Sequence, residues 1–187
     1  MDAGTGRRPG VLSAAQVGEL LQREFSQAFH AGSGNIIEEA WHGGCRIRRK
    51  FNEKSLRPGG TISGPTMMGL TDFAIYVAIL ASVGPVPLAV TTSLNINFLR
   101  KPAQRDLIAA ARLIKLGKRL AVGEVEIYCD GEDEMVAHAT STYSIPPPGG
   151  SSANRCSSAK PCAAAATPAG RPFPRPSPEY SRCGQAL

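Results

Sequence analysis

Histidine, cysteine and aromatic side chains are scarce in this 187-residue chain, with three histidines, five cysteines and 6% aromatics. His30, His42 and His138 fall in different segments without metal-ligand spacing, and no Cys-x-x-Cys or Cys/His grouping occurs. No metal and no cofactor is therefore expected. Only Cys45 and Cys129 precede residue 150, a poor basis for a disulfide framework, so the cytoplasm is the expected compartment. The opening residues carry Arg7, Arg8 and Pro9 rather than an apolar run, which argues against a secretory leader. Gly-x-Ser-x-Gly is absent, disfavouring an α/β-hydrolase triad. Gly117-Lys118-Arg119 lacks the upstream glycine of a phosphate-binding loop. The run Arg46-Ile47-Arg48-Arg49-Lys50 has no interleaved aromatics on which bases could stack, and reads as a solvated strand face. No nucleic-acid partner is expected.

Proline and glycine are plentiful but uneven. From Pro146 to Leu187, 27 of 42 residues are Pro, Gly, Ser or Ala, too few apolar groups to offset the entropy of ordering them. Residues 147–187 are expected to be a disordered tail and 1–12 a flexible lead-in, leaving 13–146 as one domain. Most of the formal net charge of +6 belongs to that tail, through Arg155, Lys160, Arg171, Arg175 and Arg182.

Within the domain, Ser13 is placed to cap a first helix from Ala14 to about Phe29. Asn35–Ala40 and Cys45–Asn52 read as short strands around Gly43-Gly44. A second helix begins at Pro65, placed at N1, and is apolar on every side, as a central helix must be. Phe73 to Leu99 contains no charge, yet Gly84, Pro85 and Pro87 break it well short of the roughly 20 residues a membrane span needs. No membrane partner is expected. Leu88 to Phe98 alternates as a half-buried strand, and Asp106–Leu116, Leu120–Cys129 and Met135–Ile145 follow with short connections. These four form an antiparallel meander. The fold class is α+β: one long buried helix against five or six antiparallel strands.

Asp72 is the one acid inside that apolar helix, and burying a carboxylate needs a reason. Two readings are open. It is a satisfied buried acid, bonded to backbone, Thr66, Thr71 or Tyr76; or it is a catalytic base. The second gains from Ser63-Gly64-Pro65 at the helix start, where a free glycine N–H and the helix dipole would stabilise an oxyanion.

Ser63-Gly64-Pro65-Thr66-Met67-Met68-Gly69-Leu70-Thr71-Asp72-Phe73-Ala74, the strand Leu94–Arg100 and Gly117–Val125 together resemble the hotdog-fold acyl-CoA thioesterases of the PaaI type. The resemblance spans roughly Asn35 to Pro146 and implies a helix wrapped in an antiparallel sheet. It implies hydrolysis of a small- to medium-chain or aryl acyl-CoA to free acid and CoA by a homodimer or homotetramer. In that family a His-Gly-Gly segment opens the helix, the central glycine N–H binds the thioester carbonyl, and an acid nine positions after the His is base or nucleophile. Here Ser63 stands at the His position, Gly64 at the central glycine, Asp72 at the acid, and Arg57 where an asparagine is common. Asn95, Asn97 and Phe98 are implied to line the acyl tunnel from the partner strand, and Lys118 and Arg119 to meet the CoA phosphates. The rival expectation is a non-catalytic hotdog module that binds acyl-CoA or only dimerises.

Overall fold

The computed structural model describes residues 6–147. The proposed tail, 147–187, lies almost wholly outside the described residues, as do residues 1–5. The lead-in is not free where it is described. Val11 donates to Ala81 O at 2.7 Å and His42 to Arg8 O at 3.0 Å, while the Arg7 guanidinium stacks over Trp41. Residues 7–12 are thus laid across the end of the core, because their backbone groups find partners there.

The first helix, α1, runs over Ala14–Glu24. Ser13 and Gln16 exchange the two hydrogen bonds of a capping box, and Val17, Leu20 and Leu21 bury the inner stripe. It ends at Glu24, five residues before the expected Phe29, because the backbone of the next residue, Phe25, has left the helical region. Phe25 and Phe29 instead serve from the following loop, Phe25 meeting Tyr76 edge to face and Phe29 stacking on Phe73.

Strands β1 (Asn35–Trp41) and β2 (Gly44–Arg49) form a hairpin, with Gly43 at φ 90° in the turn. A pair of two-residue strands, β3 (Leu56–Arg57) and β4 (Thr61–Ile62), then leads into α2 (Gly64–Val83). Helix α2 has 20 residues, long and apolar enough by composition to cross a membrane, but it is the core helix. The sheet buries Leu70, Ile75, Ile79 and Leu80 completely, each worth about 1.5–3 kcal/mol. Gly64 occupies N1 and Pro65 N2, one place later than expected; the missing proline N–H is harmless at either. Gly123 permits the close approach of helix and sheet, since a Cβ there would lie 2.6 Å from Ile75 Cδ1.

Strands β5 (Val90–Phe98), β6 (Leu107–Leu116), β7 (Leu120–Cys129) and β8 (Met135–Ser144) complete a six-stranded antiparallel sheet in the order β1-β2-β6-β7-β8-β5. The expected four-strand meander is corrected here. β6, β7 and β8 are consecutive neighbours, but β5 pairs with β8 at the sheet edge, since β6 is already flanked by β2 and β7. The chain therefore crosses from one side of the sheet to the other between Phe98 and Leu107.

Clean alternation in β5 fails as well. The register shifts between Thr91 and Ser93, so Thr91 and, beyond the bulge, Leu94 both lie opposite inward residues of β8, Tyr143 and Ser141. β5 is also mostly exposed rather than half-buried, with Val90 and Phe98 about half open. Edge position explains this: one side of β5 has no strand beside it.

Candidate active site

The first turn of α2 is built without a side-chain cap. Ser63 is extended (φ −74°, ψ 149°), its N–H donates to Ser55 O at 2.8 Å, and its hydroxyl pairs with Thr66 Oγ1 at 2.9 Å. The Gly64 N–H has no acceptor within the helix, and Pro65 has none to offer. Gly64 thus presents the one donor of the first two helical positions, at the positive end of a helix of 20 residues. Phe98 of the same chain covers it, its ring 3.1 Å from where a Gly64 Cβ would stand.

Asp72 lies two turns on, in the one stripe of α2 that the sheet leaves open, with Met68 and Gly69. Its carboxylate meets neither Thr66, Thr71 nor Tyr76. Tyr143 donates to Asp72 Oδ1 at 2.6 Å and to the Asp72 carbonyl at 2.9 Å, and Thr91 donates to the same Oδ1 at 2.5 Å. Thr71 and Tyr76 are engaged elsewhere, with Met67 O and Pro87 O. One carboxylate oxygen is therefore clamped by two hydroxyls. Burial, and then the bond to the Asp72 carboxylate, push the Tyr143 phenol well above its ordinary range, so it stays a donor.

Asp72 borders a cleft of about 390 Å³ whose lining includes Glu24, Phe25, Phe73, Tyr76 and Val90. Tyr76 stacks on Tyr143 with ring centroids 6.4 Å apart. The cleft holds two carboxylates and no basic side chain. Among the described residues, no group of acidic, histidine or cysteine side chains has the arrangement of a metal site.

The other expected site residues separate. Lys118 and Arg119 form the exposed β6–β7 turn, at the sheet end where Leu120, Ser144 and Val90 stand in register, one row beyond Tyr143 and Thr91. Asn95 and Asn97 pair with Thr140 and His138 on the face of β5 turned away from α2, so within one chain they do not enter the Asp72 cleft. Phe98 does face the helix, at Gly64. Sequence reasoning missed Thr91, Tyr143 and Glu24. Tyr143 carried a signal, because it falls on the inward phase of β8; Thr91 carried none, because the bulge reverses its phase.

The sequence profile of the thioesterase superfamily matches residues 59–136, which include Gly64, Asp72 and Thr91. A candidate esterase of Saccharolobus solfataricus is 33% identical over 135 residues, covering 72% of this chain and 87% of its own. Among solved structures, a candidate thioesterase of Silicibacter is 40% identical with a TM-score of 0.67, covering 74% of this chain and 94% of its own. The PaaI protein of E. coli shares the fold at 22% identity, with a TM-score of 0.62 over 71% of this chain and 93% of its own. By fold and by sequence alike, the chain belongs to the thioesterase superfamily of hotdog proteins, close in structure to PaaI.

Proposed function

We propose that the protein is an acyl-CoA thioesterase that works as a homodimer or a dimer of dimers, with the activity carried by residues 13–146. The observation that carries this reading is the Asp72 carboxylate, held through Oδ1 by Tyr143 and Thr91 at the edge of an aromatic-lined cleft. Oδ2 is then the oxygen left to take a proton from water. The water attacks the thioester carbon, a Gly64 N–H receives the oxyanion, and CoA leaves as thiolate as the C–S bond breaks. The proton held by Asp72 passes to the departing thiolate, leaving acid and CoA. The cleft size and its aromatic walls favour a small- to medium-chain or aryl acyl group.

Geometry favours a shared site. Eight residues of α-helix span about 12 Å, whereas a base and an oxyanion donor serving one carbonyl must lie within about 3 Å of atoms that adjoin each other. Gly64 and Asp72 of one helix are too far apart for that, so Asp72 of one copy would work with Gly64 of another. The open edge of β5, with Val90, Phe98 and Leu99 exposed, is a surface on which a second copy could pair.

The second reading, a binding or dimerisation module, is favoured by Ser63 at the position of the family His. A panel of acyl-CoAs with a thiol-trapping readout separates the two. Turnover by the parent that disappears in Asp72→Asn supports catalysis; binding without turnover in both supports the module.

A further inference from the structure

Arg48, Arg49 and Lys50 are three successive cations, and among the described residues only the middle one has no acid. Arg48 is held by Asp130, Glu38 and Asp106, and Lys50 by Asp106 at 2.9 Å. Arg49 stands opposite Leu107 on the inward face of β2, the same face on which Cys45 and Ile47 are fully buried. Its side chain is half-buried, and among the described residues it meets a neutral partner, Asn35 Oδ1, at 3.1 Å. Loss of water pulls the guanidinium below its ordinary range, with no carboxylate to offset it. The solvated-face reading of Arg46–Lys50 thus fails at Arg49. An inward cation whose partner among the described residues is neutral has a desolvation penalty that this bond offsets only in part.

Arg49 opens into a pocket of about 290 Å³ that also receives Lys50, Lys54, Ser33, Ser55 and Thr66. The lining contains three basic side chains and no acid, the reverse of the Asp72 cleft. The pocket adjoins the start of α2, since Thr66 shares its hydroxyl bond with Ser63 and the Ser63 N–H is tied to Ser55 O.

We propose that this pocket binds a small oxyanion, a phosphate or a carboxylate, with Arg49 as its charged anchor and Lys54 at its rim. A guanidinium fork with hydroxyl donors around it is suited to such a group. Anion binding does not depend on the reaction assigned above. That the anion belongs to the substrate, and that the neutral acyl part occupies the acidic Asp72 cleft, rests on the thioesterase reading.

The test uses the full chain and inorganic phosphate, followed by calorimetry and thermal shift in the parent, Arg49→Gln, Lys54→Ala and Asp72→Asn. Phosphate should bind the parent and Asp72→Asn alike, and bind Arg49→Gln about tenfold more weakly or worse. Lys54→Ala, a change at an exposed position, should show a smaller loss and keeps the test decisive if Arg49→Gln fails to fold. Two further arms identify the source of the anion. A KM for CoA esters that rises in Arg49→Gln, and is already high for dephospho-CoA esters, assigns the 3′-phosphate; a rise confined to succinyl-CoA against butyryl-CoA assigns an acyl carboxylate. Phosphate binding that depends on Arg49 in a protein that hydrolyses no thioester would retire the thioesterase reading and leave the oxyanion site standing. Equal binding of phosphate, CoA and succinyl-CoA by the parent, Arg49→Gln and Lys54→Ala would overturn the site.

Discussion

The Asp72 cleft and the Arg49 pocket differ in sign and in how their charges are held. Asp72 is held in place by two neutral hydroxyls, and the cleft adds a second acid, Glu24. In the Arg49 pocket, Lys50 is restrained by Asp106 while Arg49 has no counter-charge among the described residues. A carboxylate held through one oxygen by neutral donors is fixed in place with its other oxygen still open, which suits a positioned base. A charge left uncompensated keeps its attraction for a ligand, which suits a binding group. On the proposed reading the two places divide the work: one would act, the other would hold.

The largest expected effect is on the acting side. Asp72→Asn preserves size and polarity but removes the proton acceptor, and general-base assistance is typically worth about 10²–10⁴ in rate. Turnover should fall by that order in steady-state assays while circular dichroism is unchanged. An Asn variant that folds and hydrolyses acyl-CoA at the parent rate would break the comparison.

Next comes Gly64→Pro. Proline is accepted at N1, and Ser63 already has the extended backbone that a following proline demands. The change deletes the N–H but also puts a Cβ on a helical residue that itself precedes Pro65, so circular dichroism must show the helix intact; loss of one oxyanion donor then costs about 10²–10³ in kcat. Gly64→Ala keeps the N–H but brings the same Cβ against the Phe98 ring and before Pro65, so it measures crowding alone. If the two variants lose activity equally, the glycine matters for space and not as a donor.

Tyr143→Phe should come third, with a kcat loss of about tenfold and little change in KM. A hydrogen bond to a charged group is worth about 1.5–3 kcal/mol, but Thr91 remains on the same oxygen. A rise in KM with kcat intact would make Tyr143 a wall of the cleft instead of a clamp.

The smallest effect concerns the holding side. Burial would raise the Asp106 carboxyl, but Lys50, the Phe51 N–H and Arg48 together hold it below the usual range. A depressed folded value means stability that is present at neutral pH and lost as pH falls through the carboxylate range, from about 5 downward. Asp106→Asn should therefore lower Tm at pH 7, with the gap to the parent closing as the pH drops below about 3. The same variant frees Lys50, so phosphate should bind it more tightly than the parent. Unchanged affinity would show that Lys50 does not reach the anion.

Much of the fold and half of the candidate site are legible in the amino-acid sequence. The Ser13–Gln16 cap, the burial of α2 and the spacing of Gly64 and Asp72 are local facts, written within a few turns of chain. So are the strands, as segments: alternation marks where a strand lies and, where no bulge interrupts it, which phase points inward. What alternation cannot carry is the identity of the neighbour. The pairing of β5 with β8, and the end of α1 at Glu24, are settled by which surfaces remain to be covered.

The sequence by itself thus determined the helix, the strands and the two groups at α2 on which the proposed chemistry rests. Tertiary structure alone decided their company. Tyr143 reaches Asp72 across 71 residues, and Thr91 reaches it only because a bulge reverses the phase of β5. Arg49 is left without an acid because β2 turns it inward while Glu38, Asp106 and Asp130 are spent on its neighbours. The physical reason is common to all three. Periodicity is a property of one segment, whereas hydrogen-bond partners and counter-charges belong to the packed arrangement, where each group takes what its neighbours have left.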